Sequence, residues 1–360
     1  MNRRCGDLLV ALTRPEAMLR FSPAHWDRII PQARSAGLLG RLAALAEQAG
    51  LADRLPIRIW HALEAGLAFS DRQALAVHHE LGKLDVTLAR LGIPVLVLKG
   101  AAYLAGCMAP ARGRLMSDID ILVAKAGIPE VEAALMRDGW ISDHQDAYDH
   151  RYYREWMHEL PPMRHVLRGT VLDVHHNLLP ETARIKTRPD LVIAASVPLP
   201  DRDCLRIPCL PDLILHSATH LMHEGEWEHG LRDLADLHAL IGTGIPAADE
   251  FWAILAERAR SLGLERPLHY ALRLLETFLE LPRLPFSLPP PPPWTGALTY
   301  RLLASGVGSH HRDCRSPLTG PALFLLYVRS HWLRMPGHLL VPHLVHKALK
   351  GRKKEKEESA

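Results

Sequence analysis

Long apolar runs are missing from this 360-residue chain. No stretch of about 18 uncharged apolar residues is present to span a membrane, and the N-terminus lacks the apolar segment of a signal peptide. Cysteine is scarce: Cys5, Cys107, Cys204, Cys209 and Cys314 are scattered without Cys-x-x-Cys spacing, which argues against a zinc ribbon or a disulfide framework. A reducing, cytoplasmic setting is the expectation. Aromatics make up 6% of the chain and the formal net charge is only +3, so the basic, aromatic-lined channel of a polynucleotide-adding enzyme is not expected, and nucleic acid is not a required partner. No repeat of fixed period is present.

What is there suits a globular enzyme. With 48% hydrophobic and 23% charged residues the chain can bury a full core and is long enough for two or three domains. Its most informative feature is the pair Asp118 and Asp120 in RLMSDIDILV at 114–123. Alternation places both carboxylates on one strand face, about 6 to 7 Å apart, while Ile119, Ile121 and Val123 point into a core. Two hard oxygen ligands so placed suit Mg²⁺, which leaves its other positions to water and substrate phosphates. Two neighbours raise this above a chance Asp-x-Asp. The strand-like IPVLVL at 93–98 ends in Lys99-Gly100-Ala101-Ala102, and a third acid, Asp173, sits among β-branched and apolar residues in TVLDVH at 170–175.

With LKGAA at 98–102, RLMSDIDILV at 114–123 and LDVHH at 172–176 in this order, the chain resembles the DNA polymerase β-like nucleotidyltransferase superfamily. It looks most like the bacterial branch called uncharacterised nucleotidyltransferases, over roughly residues 91–240. The resemblance implies an α+β fold, a mixed sheet flanked by helical N- and C-terminal lobes. It also implies a catalytic and metal-binding set of Asp118, Asp120 and Asp173, and a nucleoside triphosphate, ATP by expectation, carried with Mg²⁺ or Mn²⁺. One departure stands out: Ala101 occupies the place of a glycine or serine in the superfamily turn, which removes a hydroxyl from the triphosphate grip. The backbone N–H groups at Gly100 and Ala101 can still face phosphate oxygens.

Around this core, residues 1–90 carry helix-period leucines (Leu38, Leu42, Leu45, then Leu63, Leu67) and read as a helical lobe. The α/β core is placed at 91–208: strand 93–98, helix from 100 to about 108, strand 117–123, helix 128–138, and strands near 148–154, 163–167 and 170–176. A helical domain follows at 209–288, then a stiff Pro-rich linker at 289–293, a C-terminal helical segment at 294–346, and a charged tail at 347–360. The segment 323–349 mixes apolar residues with Trp332, arginines and histidines. Pro336 and Pro342 interrupt it, which favours packing on the N-terminal lobe over peripheral membrane contact.

Histidine is frequent, at 22 residues. His216, His220 and His223 share a helix face without an HExxH order, so this helix is expected to border the cleft more than to hold zinc. His175 shares the face of Asp173 and is a candidate to orient a phosphate or the acceptor. Arg114 and Lys99 are candidate phosphate ligands, the first as a guanidinium that neutralises the leaving pyrophosphate, the second as a point charge. The combined expectation is transfer of a nucleoside monophosphate to a hydroxyl of a small molecule, sugar, peptide or protein. A non-catalytic nucleotide-binding or interaction module of the same fold is the alternative.

Overall fold

Short apolar runs punctuated by glycine and proline assemble here into one mixed sheet. In a computed structural model, which describes residues 5–142, 157–244, 249–281, 288, 291, 293–338 and 340, the seven strands are β1 (Val95–Val97), β2 (Ile119–Leu122), β3 (Trp140–Ser142), β4 (Met163–His165), β5 (Val171–His175), β6 (Val197–Pro198) and β7 (Leu205–Ile207). Their order is β3-β4-β5-β2-β1-β7-β6. β2 runs antiparallel to β1 and parallel to β5, so the acidic strand is central, and its residues from Ile119 to Leu122 are buried. The architecture is α+β, with helices far outweighing strands.

Four helices precede the sheet: α1 (Gly6–Thr13), α2 (Pro23–Ser35), α3 (Leu39–Gln48) and the 33-residue α4 (Ile57–Ala89). α3 and α4 approach closely through glycine: a Cβ on Gly66 would lie 2.6 Å from that of Leu39. Gly113 carries φ +75 and would place a Cβ 2.2 Å from the Gly40 carbonyl oxygen, so only glycine lets the loop before β2 lie against α3. α5 (Lys99–Ala105) and α6 (Ile128–Arg137) both pack on α4. After α7 (Pro189–Ala194) the chain is mostly helical again: α8 (Leu210–His223), α9 (Gly230–Gly244), α10 (Asp249–Leu262), α11 (Glu265–Phe278), α12 (Pro293–Val307) and α13 (Thr319–Arg334). One apolar cluster runs through the whole, from Leu8 to Leu326.

Several expectations change. β3, β6 and β7 are not among the strands read from the sequence, and the strand near 148–154 lies outside the described residues, as do the tail and most of the Pro-rich linker. α13 packs on α12 and α8 and turns Phe324, Leu325, Val328 and Trp332 outward, where packing on the N-terminal lobe was expected. Cys5 and Cys314 form a disulfide across a separation of 309 residues, which corrects the reading that no disulfide is indicated. The pairing rests on tertiary proximity alone, so spacing along the chain carries no trace of it. Among the described residues no helix is long and apolar enough to cross a membrane.

β7 reaches the sheet by an interaction with α4. The buried Asp85 accepts backbone N–H bonds from Asp203 (3.0 Å), Cys204 (3.0 Å) and Leu205 (3.2 Å), which holds β7 parallel to β1. Burial pushes the Asp85 carboxyl upward, but the bonds from Cys204 and Asp203 outweigh it and keep the group below its ordinary value. A depressed carboxylate stabilises the fold above its ordinary pKa, and the contribution is lost as pH falls through the folded value. Asp85→Ala should therefore cost roughly 2–4 kcal/mol near neutrality, and the gap from wild type should narrow in acid. Denaturant unfolding at both pH values measures this; a gap independent of pH would mean that the charge of Asp85 is not what holds β7.

Candidate active site

The β1–β2 ladder continues past its ends, with the Leu98 N–H bonded to the Asp120 carbonyl at 2.9 Å. Lys99 then turns the chain into α5 with φ +47, a left-handed conformation costly for a side chain with a Cβ. Its ammonium ends 2.7 Å from Asp120 Oδ1. On the other side β5 sets Asp173 beside Asp120 in parallel register, and Leu122 beside His175. His175 is buried and bridges two acids, with Nε2 3.0 Å from Asp120 Oδ1 and Nδ1 3.2 Å from Glu159 Oε2. Asp118 precedes β2, half-buried, and accepts a bond from Ser117 Oγ at 2.8 Å.

These contacts divide the acids electrostatically. Burial alone would raise the Asp120 carboxyl, but Lys99 and the bond from His175 drive it well below its usual range. Burial also disfavours the His175 cation, yet the bond to Asp120 and the charge of Glu159 raise its pKa overall. Asp173 has no such help. Its Oδ1 is buried without a hydrogen-bond partner among the described residues, and burial, with the charges of Asp120 and Glu159 adding, pushes its carboxyl up to about 7. An orphaned carboxylate oxygen beside a second carboxylate is the donor arrangement a divalent cation relieves.

Asp118 and Asp120 open on a cleft of about 290 Å³ between the sheet and the helices α8 and α9, with Asp173 beside Asp120 in the next strand. Lys99, Gly100 and Tyr103 form its sheet side, and Ser217 and His220 of α8 face them. Tyr103 and Ser217 join their hydroxyls at 2.5 Å across the gap. Among the described residues seven carboxylates line this cleft against three lysine and arginine side chains. A triphosphate entering alone would meet a repulsive field, so its charge has to arrive already paired with cations.

Arg114 lies in the cleft wall. Its Nε donates to Asp236 Oδ2 at 2.6 Å, and Arg41 Nη2 of α3 donates to Asp236 Oδ1 at 2.7 Å, a buried Arg–Asp–Arg chain between α3, the pre-β2 loop and α9. The Arg114 guanidinium also covers Gly100, where a Cβ would stand 2.2 Å from Nη1. Any side chain at 100 would have to push the Arg114 guanidinium away from Asp236. The turn residues Gly100 and Ala101 open α5, whose first N–H groups have no intrahelical acceptor, and both residues are buried.

Three residues outside the sequence-derived set belong to the site. Glu159 joins it through an antiparallel bridge to His175, and His158 packs its ring 5.1 Å from that of His175. Pro161 and Pro162 lack N–H donors and separate this bridge from β4. His158, Glu159 and His175 offer donor atoms within 4.8 Å of one another, so nitrogen as well as oxygen donors stand beside the acids. Asp236 is the third, and its partners lie far away in sequence. Of the clustered helix histidines, His220 lines the cleft and pairs with Glu224 at 3.5 Å, while His223 is bonded to the Thr219 carbonyl at 2.8 Å. Among the described residues they form no metal group.

Residues 22–280 match the model of a family described as uncharacterised nucleotidyltransferase. The chain belongs to that family. Membership in this nucleotidyltransferase family makes a transferase the class of enzyme and a nucleotide the substrate, and the matched span contains Asp118, Asp120, Asp173 and the whole cleft between sheet and α9. Neither the curated proteins nor the solved structures compared with the chain include a match.

Proposed function

We propose that the chain transfers a nucleoside monophosphate from an NTP, ATP being the working choice, to an acceptor hydroxyl with release of pyrophosphate, in the manner of DNA polymerase β-like enzymes. The observation that carries this reading is the unpartnered Asp173 Oδ1 beside Asp120, which itself lines a cleft rich in acids together with Asp118. Asp118, Asp120 and Asp173 would hold Mg²⁺ or Mn²⁺, which supplies charge neutralisation of the phosphates and alignment of the attacking and leaving oxygens.

The chain's own groups do the rest. Asp173, with its carboxyl near 7, is matched to accept the proton of the attacking hydroxyl near neutrality. Lys99 and His175 keep Asp120 ionised and fix its rotamer, and Glu159 anchors His175 from behind. Gly100 and Ala101 present backbone donors to phosphate oxygens, and Arg114 and Lys99 add positive charge at the same wall. The Lys99–Asp120 pair is also the observation on which a non-catalytic module would rest, since it neutralises one acid without an ion.

Incubation with labelled NTPs, Mg²⁺ or Mn²⁺ and cell lysate separates the readings, with pyrophosphate and the labelled molecule both followed. Transfer of label to a hydroxyl, abolished by chelator, is the expected result. Full turnover in chelated, metal-free buffer would overturn the metal-dependent reading, and nucleotide binding without pyrophosphate would favour the module.

A further inference from the structure

Remote from the cleft, the start of the chain meets the turn between α12 and α13. Cys5 caps α1, while His310 and Cys314 stand four residues apart in that turn, which contains a 3₁₀ segment Arg312–Cys314. All three are buried, and Cys5 Sγ, Cys314 Sγ and a nitrogen of His310 lie within 4.8 Å of one another. The turn is fixed from outside: Ser35 Oγ donates to the His310 carbonyl at 2.5 Å, and Arg315 Nε donates to the Ser309 carbonyl at 3.0 Å.

We propose that Cys5, His310 and Cys314 form a soft-metal site that takes Zn²⁺ when the two cysteines are thiols. A disulfide alone gives no role to the imidazole, whose Nε2 sits 3.6 Å from Cys314 Sγ. That separation is close to the edge of about 3.5 Å between sulfur and nitrogen ligands of tetrahedral zinc. The other ring nitrogen, Nδ1, lies 3.3 Å from the Val307 carbonyl, the outer contact that sets a ligand histidine's tautomer and leaves Nε2 its lone pair. Two thiolates, one neutral imidazole and Zn²⁺ sum to zero charge, so the buried complex carries no unpaired ion. A fourth position opens on a cavity of about 420 Å³ walled by Leu9, Leu231 and Phe278, with room for water.

The two states exchange without loose electrons. A small dithiol reduces the Cys5–Cys314 disulfide to two thiols and leaves as its own cyclic disulfide; Zn²⁺ then displaces two thiol protons. Exchange with a small-molecule disulfide, which leaves as two thiols, returns the Cys5–Cys314 disulfide and expels the ion, so the same residues clasp the N-terminus to the α12–α13 turn in either state.

The test uses the full chain, reduced with dithiothreitol, desalted without oxygen and titrated with Co²⁺. The expected result is one equivalent with thiolate-to-cobalt charge-transfer absorption, bleached by Zn²⁺; Co²⁺ on the carboxylates of the cleft gives no such band. Cys5→Ser and Cys314→Ser should abolish it, His310→Ala should weaken binding by at least about tenfold, and Cys107→Ser with Cys209→Ser should leave it unchanged. If the serine variants do not fold, wild type decides: Zn²⁺ should shield Cys5 and Cys314 from alkylation while the exposed Cys107 reacts. No charge-transfer band, a band that survives without Cys5 and Cys314, a disulfide that resists reduction and takes up no ion, or unshielded thiols would each overturn the proposal.

Discussion

Asp173→Asn should raise the melting midpoint of the metal-free chain while Asp120→Asn lowers it, and both should cut nucleotidyl transfer by orders of magnitude. The opposite signs follow from the partners. Asp173 is a carboxylate without a bond at Oδ1, and its carboxyl is raised to about 7 by burial and by the charges of Asp120 and Glu159. A raised acid favours the fold while protonated, and that contribution is lost as pH climbs from the ordinary carboxyl range near 4 through about 7. The gain from Asp173→Asn should therefore be absent in acid, grow over that window and level off above it. Asp120 is the reverse case: Lys99 and His175 hold it ionised, and Asn leaves the half-buried Lys99 ammonium and the buried His175 without their counter-ion, at roughly 3 kcal/mol or more. Adding Mg²⁺ or Mn²⁺ should raise the wild-type midpoint and erase the advantage of Asp173→Asn, because only the carboxylate gains from the ion. Melting with and without metal, beside a pyrophosphate assay, reads both effects. A destabilised but active Asp173→Asn would return that acid to a purely structural role.

Local alternation explains why the acidic strand was readable. In the IDIL of β2 and the VLDVH of β5 the core residues alternate with the polar ones, so a period of two is enough to place Asp120, Asp173 and His175 on one face, whatever the rest of the chain does. The helix read at 128–138 corresponds to α6 for the same reason, with Ile128, Val131, Ala134 and Leu135 buried at helical spacing. β7 has no such signature: three residues centred on Arg206 become a strand because Asp85, 118 or more positions away, holds the backbone that leads into it from Asp203 to Leu205. Glu159 stood hidden by the prolines that follow it, and Cys5 and Cys314 by a separation of 309 residues. Arg114 shows the boundary most clearly. Its place beside the acids follows from the motif, but its hydrogen-bond partner, Asp236, sits on a helix 122 residues later that nothing in the local pattern links to it.

That partner carries the second large effect. Asp236→Ala should lower stability by roughly 3–5 kcal/mol, a large share of the ~5–15 kcal/mol that holds a typical domain. Both oxygens of Asp236 are used, Oδ1 by Arg41 at 2.7 Å and Oδ2 by Arg114 at 2.6 Å, and all three side chains are at least nine-tenths buried. Without the carboxylate two guanidiniums face each other in the interior, with Asp233 reaching only Arg114, at 3.9 Å. Asp236→Asn keeps the shape and should cost less. Arg41→Met in the Asp236→Ala background should recover part of the loss, because it removes one stranded charge and leaves an apolar stem in its place. Denaturant unfolding of wild type, Asp236→Ala, Arg41→Met and the double variant gives the coupling directly. If the loss from Asp236→Ala stays below about 1 kcal/mol, Arg114 has found solvent by swinging into the cleft. It would then be a free phosphate ligand whose apparent KM for NTP falls in this variant, whereas a wall-forming Arg114 predicts a KM that rises as the wall loosens.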